Sequence, residues 1–395
     1  MTSMGRIDTT ADRRAVLRAP LTPVPAPTEL RVLIRSAASA IEGLEAEWTA
    51  LAEAASEPNP FAEHWFVAAS LRTLAAGQEI RLLEVRRGEV LIGLLPVESH
   101  RGYARLPVRI TRNWAHDQMF LYTPLVAAGE ERAFWSAVLE TLDAAAWAPG
   151  LLHLRGLAEH GPVHRGLLEA RHGVTVHREV RAFLESALSP DAYYEQAVRQ
   201  KKRKEIRRLK NRLAEQGSIS ARILHDDAGL DPWCATYLAL EKAGWKGKRG
   251  SALADRAETD AFFREAVAAA WQAGRLQFLR LDLGDTCIAM LVNFLTPPGS
   301  FSFKTVFDED YARFSPGVLI QLENLKILDD PRIAWMDSCA AEDHPMIDSL
   351  WTERRAIVRV SVPLNGFRRR LAYALCTMLE RASALVRKRN NHRSA

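Results

Sequence analysis

Phe301-Ser-Phe-Lys-Thr-Val-Phe-Asp-Glu-Asp-Tyr-Ala-Arg-Phe-Ser-Pro-Gly317, running on into Val318-Leu-Ile-Gln-Leu-Glu-Asn-Leu-Lys326, sets the grammar of this chain. Its first residues predict a strand over Ser300–Phe307, a charged loop follows, and Ser-Pro-Gly opens an apolar-periodic helix over 317–328. Ser315 is a natural N-cap, and Pro316 suits the first helical position. Gly317 removes a side chain where another backbone or a ligand can come close. Amides at a helix start are unpaired and carry partial positive charge, which makes a ready seat for a pyrophosphate. The same features also describe a well-capped helix without a ligand.

Upstream, helical spacing covers about 189–216, 228–243 and 257–273, with a strand near 219–224. Gln277–Leu283 and Cys287–Leu295 read as strands leading into Ser300–Phe307. Downstream, Ile333–Met336 and Val358–Val362 complete the set. The first half has a similar order: a strand at Arg31–Arg35, helices at 39–55 and 61–75, then strands Ile80–Val85 and Val90–Val97 joined by Arg86-Arg87-Gly88-Glu89, a good hairpin turn. A helix at 130–146, a strand at Leu151–Leu154 and a helix at 160–171 follow. Element order alone suggests a duplicated α/β domain, without a residue-level repeat. Residues 1–28 are polar and end in the proline-rich Pro20–Pro27, so they predict a disordered tail.

At 395 residues, 48% hydrophobic and 26% charged, the composition is that of a soluble globular chain of two domains. No apolar run has the length that crosses a bilayer, and no secretory signal is present, so a cytoplasmic location is expected. Cys234, Cys287, Cys339 and Cys376 form no C-x-x-C pair, which speaks against a disulfide framework or a cysteine-rich zinc site. The net charge of +5 permits anionic partners without selecting one.

Residues 365–390 stand apart. Phe367, Leu371, Leu375, Met378, Leu379, Ala382, Leu385 and Val386 fall on one helical face, with arginines largely elsewhere. Such a helix docks on the protein through its stripe or lies on an anionic membrane, which would make the chain peripheral at the inner membrane.

With these residues in view, the strand, the Tyr311-Ala-Arg-Phe-Ser-Pro-Gly317 loop and the helix resemble the CoA-pyrophosphate element of GNAT (N-acetyltransferase) enzymes. The likeness is to the bacterial CelD-like acetyltransferase branch, related to the FemAB aminoacyl transferases. Leu240-Glu-Lys-Ala-Gly-Trp-Lys-Gly247, Arg203-Lys-Glu-Ile-Arg-Arg208, and Trp335-Met-Asp-Ser-Cys339 with His344-Pro345 fit the same branch. Asn59-Pro-Phe61 and Ile92-Gly-Leu-Leu-Pro96 are looser echoes in the first half. The resemblance implies an α/β (α+β) fold of tandem GNAT-like domains, each a mixed, mostly antiparallel sheet flanked by helices. It implies a degenerate domain at 29–185, a catalytic domain at 186–363 that binds an acyl-CoA co-substrate (acetyl-CoA or longer), and a basic C-terminal segment at 364–395. The loop departs from the usual pattern of an Arg or Gln followed by two spaced glycines: it offers Arg313 and only Gly317, flanked by Pro316 and Val318. Long-chain acyl-CoA, acyl carrier protein and aminoacyl-tRNA therefore stay open as donors.

Acyl transfer to an amine needs a base, an oxyanion donor and an exit for the thiolate. The base candidates are Asp337, Asp308, Glu241 and His344. Lys304, mid-strand, can polarise a carbonyl, bind an acidic acceptor, or pair with Asp337 across the sheet. Arg313, Ser315, Pro316, Gly317 and Val318 are the donor-binding candidates. Trp245, Lys246 and Tyr311 are the substrate-binding ones, for a small-molecule, lipid or saccharide amine. Arg199 to Arg212 carries nine cations, which circle the helix with no aromatic platform, so a solvated face is expected ahead of nucleic acid; tRNA belongs to the FemAB-like alternative. Asp337, Cys339, Asp343 and His344 match no zinc spacing, so no metal is expected. A non-catalytic scaffold in a polysaccharide or envelope pathway is the reading from outside enzymology.

Overall fold

A computed structural model describes residues 29–103 and 106–391; the expected tail at 1–28 lies outside them. The first half runs β1 (Leu30–Ser36), α1 (Ala37–Ile41), α2 (Glu45–Ala54), α3 (His64–Leu74), β2 (Ile80–Arg87), β3 (Val90–Tyr103), β4 (Leu106–Asn113), β5 (Leu125–Val126), α4 (Glu131–Ala144), β6 (Leu151–Ala158), α5 (Pro162–Ala170) and β7 (Val174–Glu185). The second runs α6 (Pro190–Ala197), α7 (Gln200–Ala214), β8 (Ile219–Ile223), α8 (Leu230–Ala243), α9 (Trp245–Lys248), α10 (Ala257–Gln272), β9 (Leu276–Leu283), β10 (Thr286–Thr296), β11 (Gly299–Phe307), α11 (Pro316–Asn324), β12 (Trp335–Asp337), β13 (Glu353–Pro363) and α12 (Phe367–Asn391).

The periodicity did not announce β4 or β7. Leu106, Val108 and Ile110 in β4, and Val174, Val176, Val180, Ala182 and Leu184 in β7, do alternate with polar residues, but the Arg, Thr and His between them make both segments read as polar. They are strands because neighbours on both edges satisfy their backbone amides and carbonyls, whatever their side chains.

The fold is mixed α/β with a mostly antiparallel sheet flanked by helices. One continuous sheet has the order β1-β2-β3-β4-β6-β13-β7-β12-β11-β10-β9-β8, with β5 paired to β3. Each half contributes one short parallel pair, β4 with β6 and β11 with β12. Strand β13, late in the chain, lies between two strands of the first half: Val360 sits opposite Leu154 of β6, and Arg355 opposite Arg181 of β7. Strand β7 then pairs with β12, so the halves are joined edge to edge.

On one face of the second half, α3, α8 and α10 bury an aromatic cluster. Phe61 of the first half meets Phe301 at 5.5 Å and Phe294 at 6.4 Å between ring centroids. Edge-on aromatic contacts of this kind weld the halves by packing as well as by strand pairing. On the other face, α7 and α11 cover Leu279, Ile288 and Leu291.

Helix α12 contradicts the expectation that its apolar stripe docks. Tyr373 and Cys376 face the body, against Tyr103, Ile110 and Leu151, while Phe367, Leu371, Leu375, Met378 and Leu379 are exposed.

Candidate active site

Strands β11 and β12 pair over three residues only, ending at Phe301 opposite Asp337. Beyond that point β11 continues to Phe307 while the chain after Asp337 leaves the sheet. The divergence opens a cleft of about 730 Å³. Its walls include Ser302 to Thr305 and Phe307 of β11, Ser315, Gly317 and Gln321 at α11, Ser338 to Ala341, and His344, Met346 and Ile347. Trp245 and Lys246 close one side, and Asp117 and Phe120 reach in from the first half.

The β10–β11 register shifts here: Val292 sits opposite Lys304, but Asn293 opposite Ser302. Phe303 is therefore the extra residue of a β-bulge, which leaves backbone unpaired beside the cleft. A buried amide chain supports it. Asn293 donates to Gln277 and to Asn324, each at 2.7 Å, Asn324 donates to Gln321, and Gln321 donates to Thr305. These bonds fix α11 against the bulged strand. Buried amides of this kind leave no periodic trace, so the sequence reading passed over Asn293, Gln321 and Asn324.

Lys304 is partly buried, with its ammonium 5.4 Å from the Phe120 ring and 5.2 Å from that of Phe303. Among the described residues it has no ion pair. Burial, with the charge of Lys246 nearby, lowers its pKa to about 8. The bridge to Asp337, one of the three roles open to Lys304, does not form. Asp337 is fully buried: Oδ1 lies 2.7 Å from Arg181 Nε and accepts the Cys339 amide at 2.9 Å, while Oδ2 accepts from Arg181 at 2.8 Å and from Arg355 at 3.2 Å. A fully buried carboxylate held by two guanidiniums and a backbone amide, and absent from the cleft wall, is out of reach of a substrate amine, so Asp337 is a structural group. The signal that misled was its place at the end of the splayed strand.

Glu241 is likewise occupied. It accepts from Lys246 Nζ at 2.6 Å and from the Leu253 amide at 2.8 Å, and so orients Lys246 toward the cleft. Asp308 caps the following turn through the Asp310 amide and does not line the cleft. Arg313 stacks on Phe314 and points away, and Tyr311 packs on the second-half core. His344 does line the cleft, and its Nδ1 has no hydrogen-bond partner among the described residues. Cys339 also lines it, but burial and the neighbouring Asp337 push its thiol well above the usual range, so it is not a thiolate nucleophile.

The start of α11 also differs from expectation. Ser315 adopts a left-handed conformation (φ 55°), and its side chain makes no capping bond. Its carbonyl accepts the amides of Val318 at 2.9 Å and Leu319 at 3.2 Å. Pro316 has no amide to offer, and its ring is buried away from the cleft. Of the opening turn, the Gly317 amide alone lacks a partner among the described residues. A Cβ at 317 would stand 3.2 Å from Met346 Sδ and from Phe307 Cδ1, so the glycine answers to packing as well as access. Val318 lines the wall below.

Residues 200–344 match the acetyltransferase (GNAT) domain family. The GNAT-matching segment thus includes the whole of β11, α11 and β12 and most of the cleft wall, while Asp117, Phe120, Met346 and Ile347 lie outside it. Over nearly the full length the fold is similar to that of FemX, at a TM-score of 0.55 and 10% identity, covering 84% of this chain and 98% of that one. It is also similar to the C-terminal DUF2156 domain of a protein described as a lysylphosphatidylglycerol synthetase of Agrobacterium fabrum, at 0.51 and 12%, covering 87% and 98%. A tandem GNAT protein from the clavulanic acid biosynthesis pathway aligns at 0.45 and 17% identity, covering 86% and 100%. No curated protein matches the sequence.

Proposed function

We propose that the chain is an N-acyltransferase of the CelD-like kind that moves an acyl group from a CoA-type thioester to an amine in the cleft between β11 and β12. The observation that carries this reading is Lys304: an ammonium with no ion pair among the described residues, on a bulged strand, in a GNAT-matching segment. Attack of an amine on a carbonyl puts negative charge on the oxygen, and a fixed cation in a partly dry wall stabilises it. We assign the proton acceptor to His344, whose Nδ1 is unpartnered. The open edge of β11 suits an extended pantetheine arm, and Phe307, Val318, Met346 and Ile347 suit an acyl chain. The pyrophosphate grip rests on the Gly317 amide, helped by Lys246.

We read the first half as lacking a second such site among its described residues. There α4 stands between the parallel strands β4 and β6, as α11 stands between β11 and β12. Its start carries Glu130 and Glu131, and carboxylates at a helix N-terminus repel a phosphate.

A second reading has its own observation. Helix α7 packs against the turn Glu309–Phe314 at the cleft mouth and exposes Lys201, Lys204, Arg207, Arg208, Lys210 and Arg212. With two of the α11 amides taken, this cationic arc suits an aminoacyl-tRNA donor. Thermal shift decides between them. A CoA thioester at 100 times its dissociation constant adds about 2.7 kcal/mol and raises Tm by several degrees. No shift with acetyl-CoA, palmitoyl-CoA or free CoA, together with steeply salt-dependent tRNA binding, would overturn the thioester reading in favour of the second.

A further inference from the structure

Helix α12 turns its apolar residues away from the protein. Phe367, Leu371, Leu375, Met378 and Leu379 share one face and are 84, 54, 48, 67 and 38% exposed. The opposite face is the docked one, where Cys376 is fully buried and Thr377 nearly so. The root of the helix is pinned. Arg369 donates to the carbonyls of Leu142, Asp143 and Ala145 at the end of α4, and Asn365 donates to Asp143 through its amide and its side chain. The outward aim of the stripe is thus set by hydrogen bonds and burial on the other side.

A contiguous apolar stripe facing water marks a surface that something else covers. Its charge surroundings say what. Arg368 and Arg370 are exposed beside the stripe, and residues 364–395 hold eight Lys and Arg against Glu380 as the sole acid. A second copy of the same helix would bring cation against cation. An anionic bilayer surface offers hydrocarbon for the stripe and phosphate for the arginines. The helix lies on such a surface rather than through it, since no helix among the described residues is long and apolar enough to cross.

We propose that α12 is a membrane-surface anchor that seats Phe367, Leu371 and Leu375 in the headgroup region of anionic lipid. The test is flotation of the full chain with vesicles of phosphatidylglycerol and phosphatidylcholine, beside vesicles of phosphatidylcholine alone. The chain is expected to float with the anionic vesicles, and Leu371→Glu/Leu375→Glu to abolish flotation without lowering Tm, because both side chains are solvent-facing. Arg368→Glu/Arg370→Glu should weaken binding by roughly thirtyfold or more, from about tenfold per 1.4 kcal/mol and the surface attraction of each arginine. Absence of flotation overturns the proposal. So does flotation that survives the leucine substitutions, which would move the contact to α7. A concentration-dependent dimer dissolved by those substitutions, in a chain that ignores vesicles, would assign the stripe to a second copy or protein partner instead.

Discussion

Lys304 stands on an interior strand with Phe120 and Phe303 around its ammonium and no ion pair among the described residues. Below pH 8 it holds its proton, and above that it loses it. If the ammonium stabilises the oxyanion, kcat/KM falls on the basic side with an apparent pKa near 8. Lys304→Arg should move that limb out of the measurable range, and Lys304→Met should remove it with a loss of about 10²–10³-fold. A limb unchanged in Lys304→Arg would put the titration on another group. The sign for stability is the reverse of the activity trend. The folded pKa lies below the ordinary 10.5, so between about 8 and 10.5 the unfolded chain binds more protons and the folded state gains stability as pH rises. Asp337 presents the opposite case, a charge whose partners are all protein. Asp337→Asn leaves Arg181 and Arg355 without their anion in a buried site and should cost about 3–5 kcal/mol in urea unfolding. A loss under 1 kcal/mol would show that the clamp is not needed.

At the scale of elements, the α11 start concentrates the donor question in one backbone group. The Ser315 carbonyl takes the Val318 and Leu319 amides, and the amide of Gly317, a residue of the cleft wall, is left without a partner among the described residues. Gly317→Asp would put a carboxylate at that amide and a Cβ against Met346 and Phe307. Thermal shift by CoA should vanish in this variant, while Gly317→Ala, with contact strain alone, keeps a weakened response. Equal CoA affinity in Gly317→Asp would remove α11 from the donor site. Helix α7 was legible only in part. Its eight cations were plain in sequence, but not that Ile206 and Leu213 bury one face and turn the rest outward beside the cleft mouth. Which arc of a helix is covered depends on a neighbour that is remote in the chain.

For the whole molecule, β13 is the tie. It carries ladders to both β6 and β7, so neither half has a complete sheet without it. Deleting residues 353–395 would leave the inner edges of β6 and β7 unpaired, and a fragment of residues 186–395 would lack β7 beside β12. Both are expected to be insoluble or molten, and the full chain to unfold by calorimetry in one cooperative transition. Two separated transitions, or a folded 186–395 fragment, would show that the halves are independent.

The sequence by itself determined the local order: the strand over Ser300–Phe307, the helix opened by Pro316, and the apolar spacing of α12, because side-chain period and cap chemistry act over a few residues. It also brought Lys304, Trp245, Lys246, Gly317 and His344 to notice, and all of these meet in the cleft. Only the tertiary structure decided that Asp337 and Glu241 are spent on Arg181, Arg355 and Lys246, that Phe120 and Asp117 enter from the first half, and that the α12 stripe faces outward. Those outcomes are pairings between groups far apart in the chain. A carboxylate's freedom, or a stripe's direction, is a property of whatever folds against it, and no spacing along one segment encodes that.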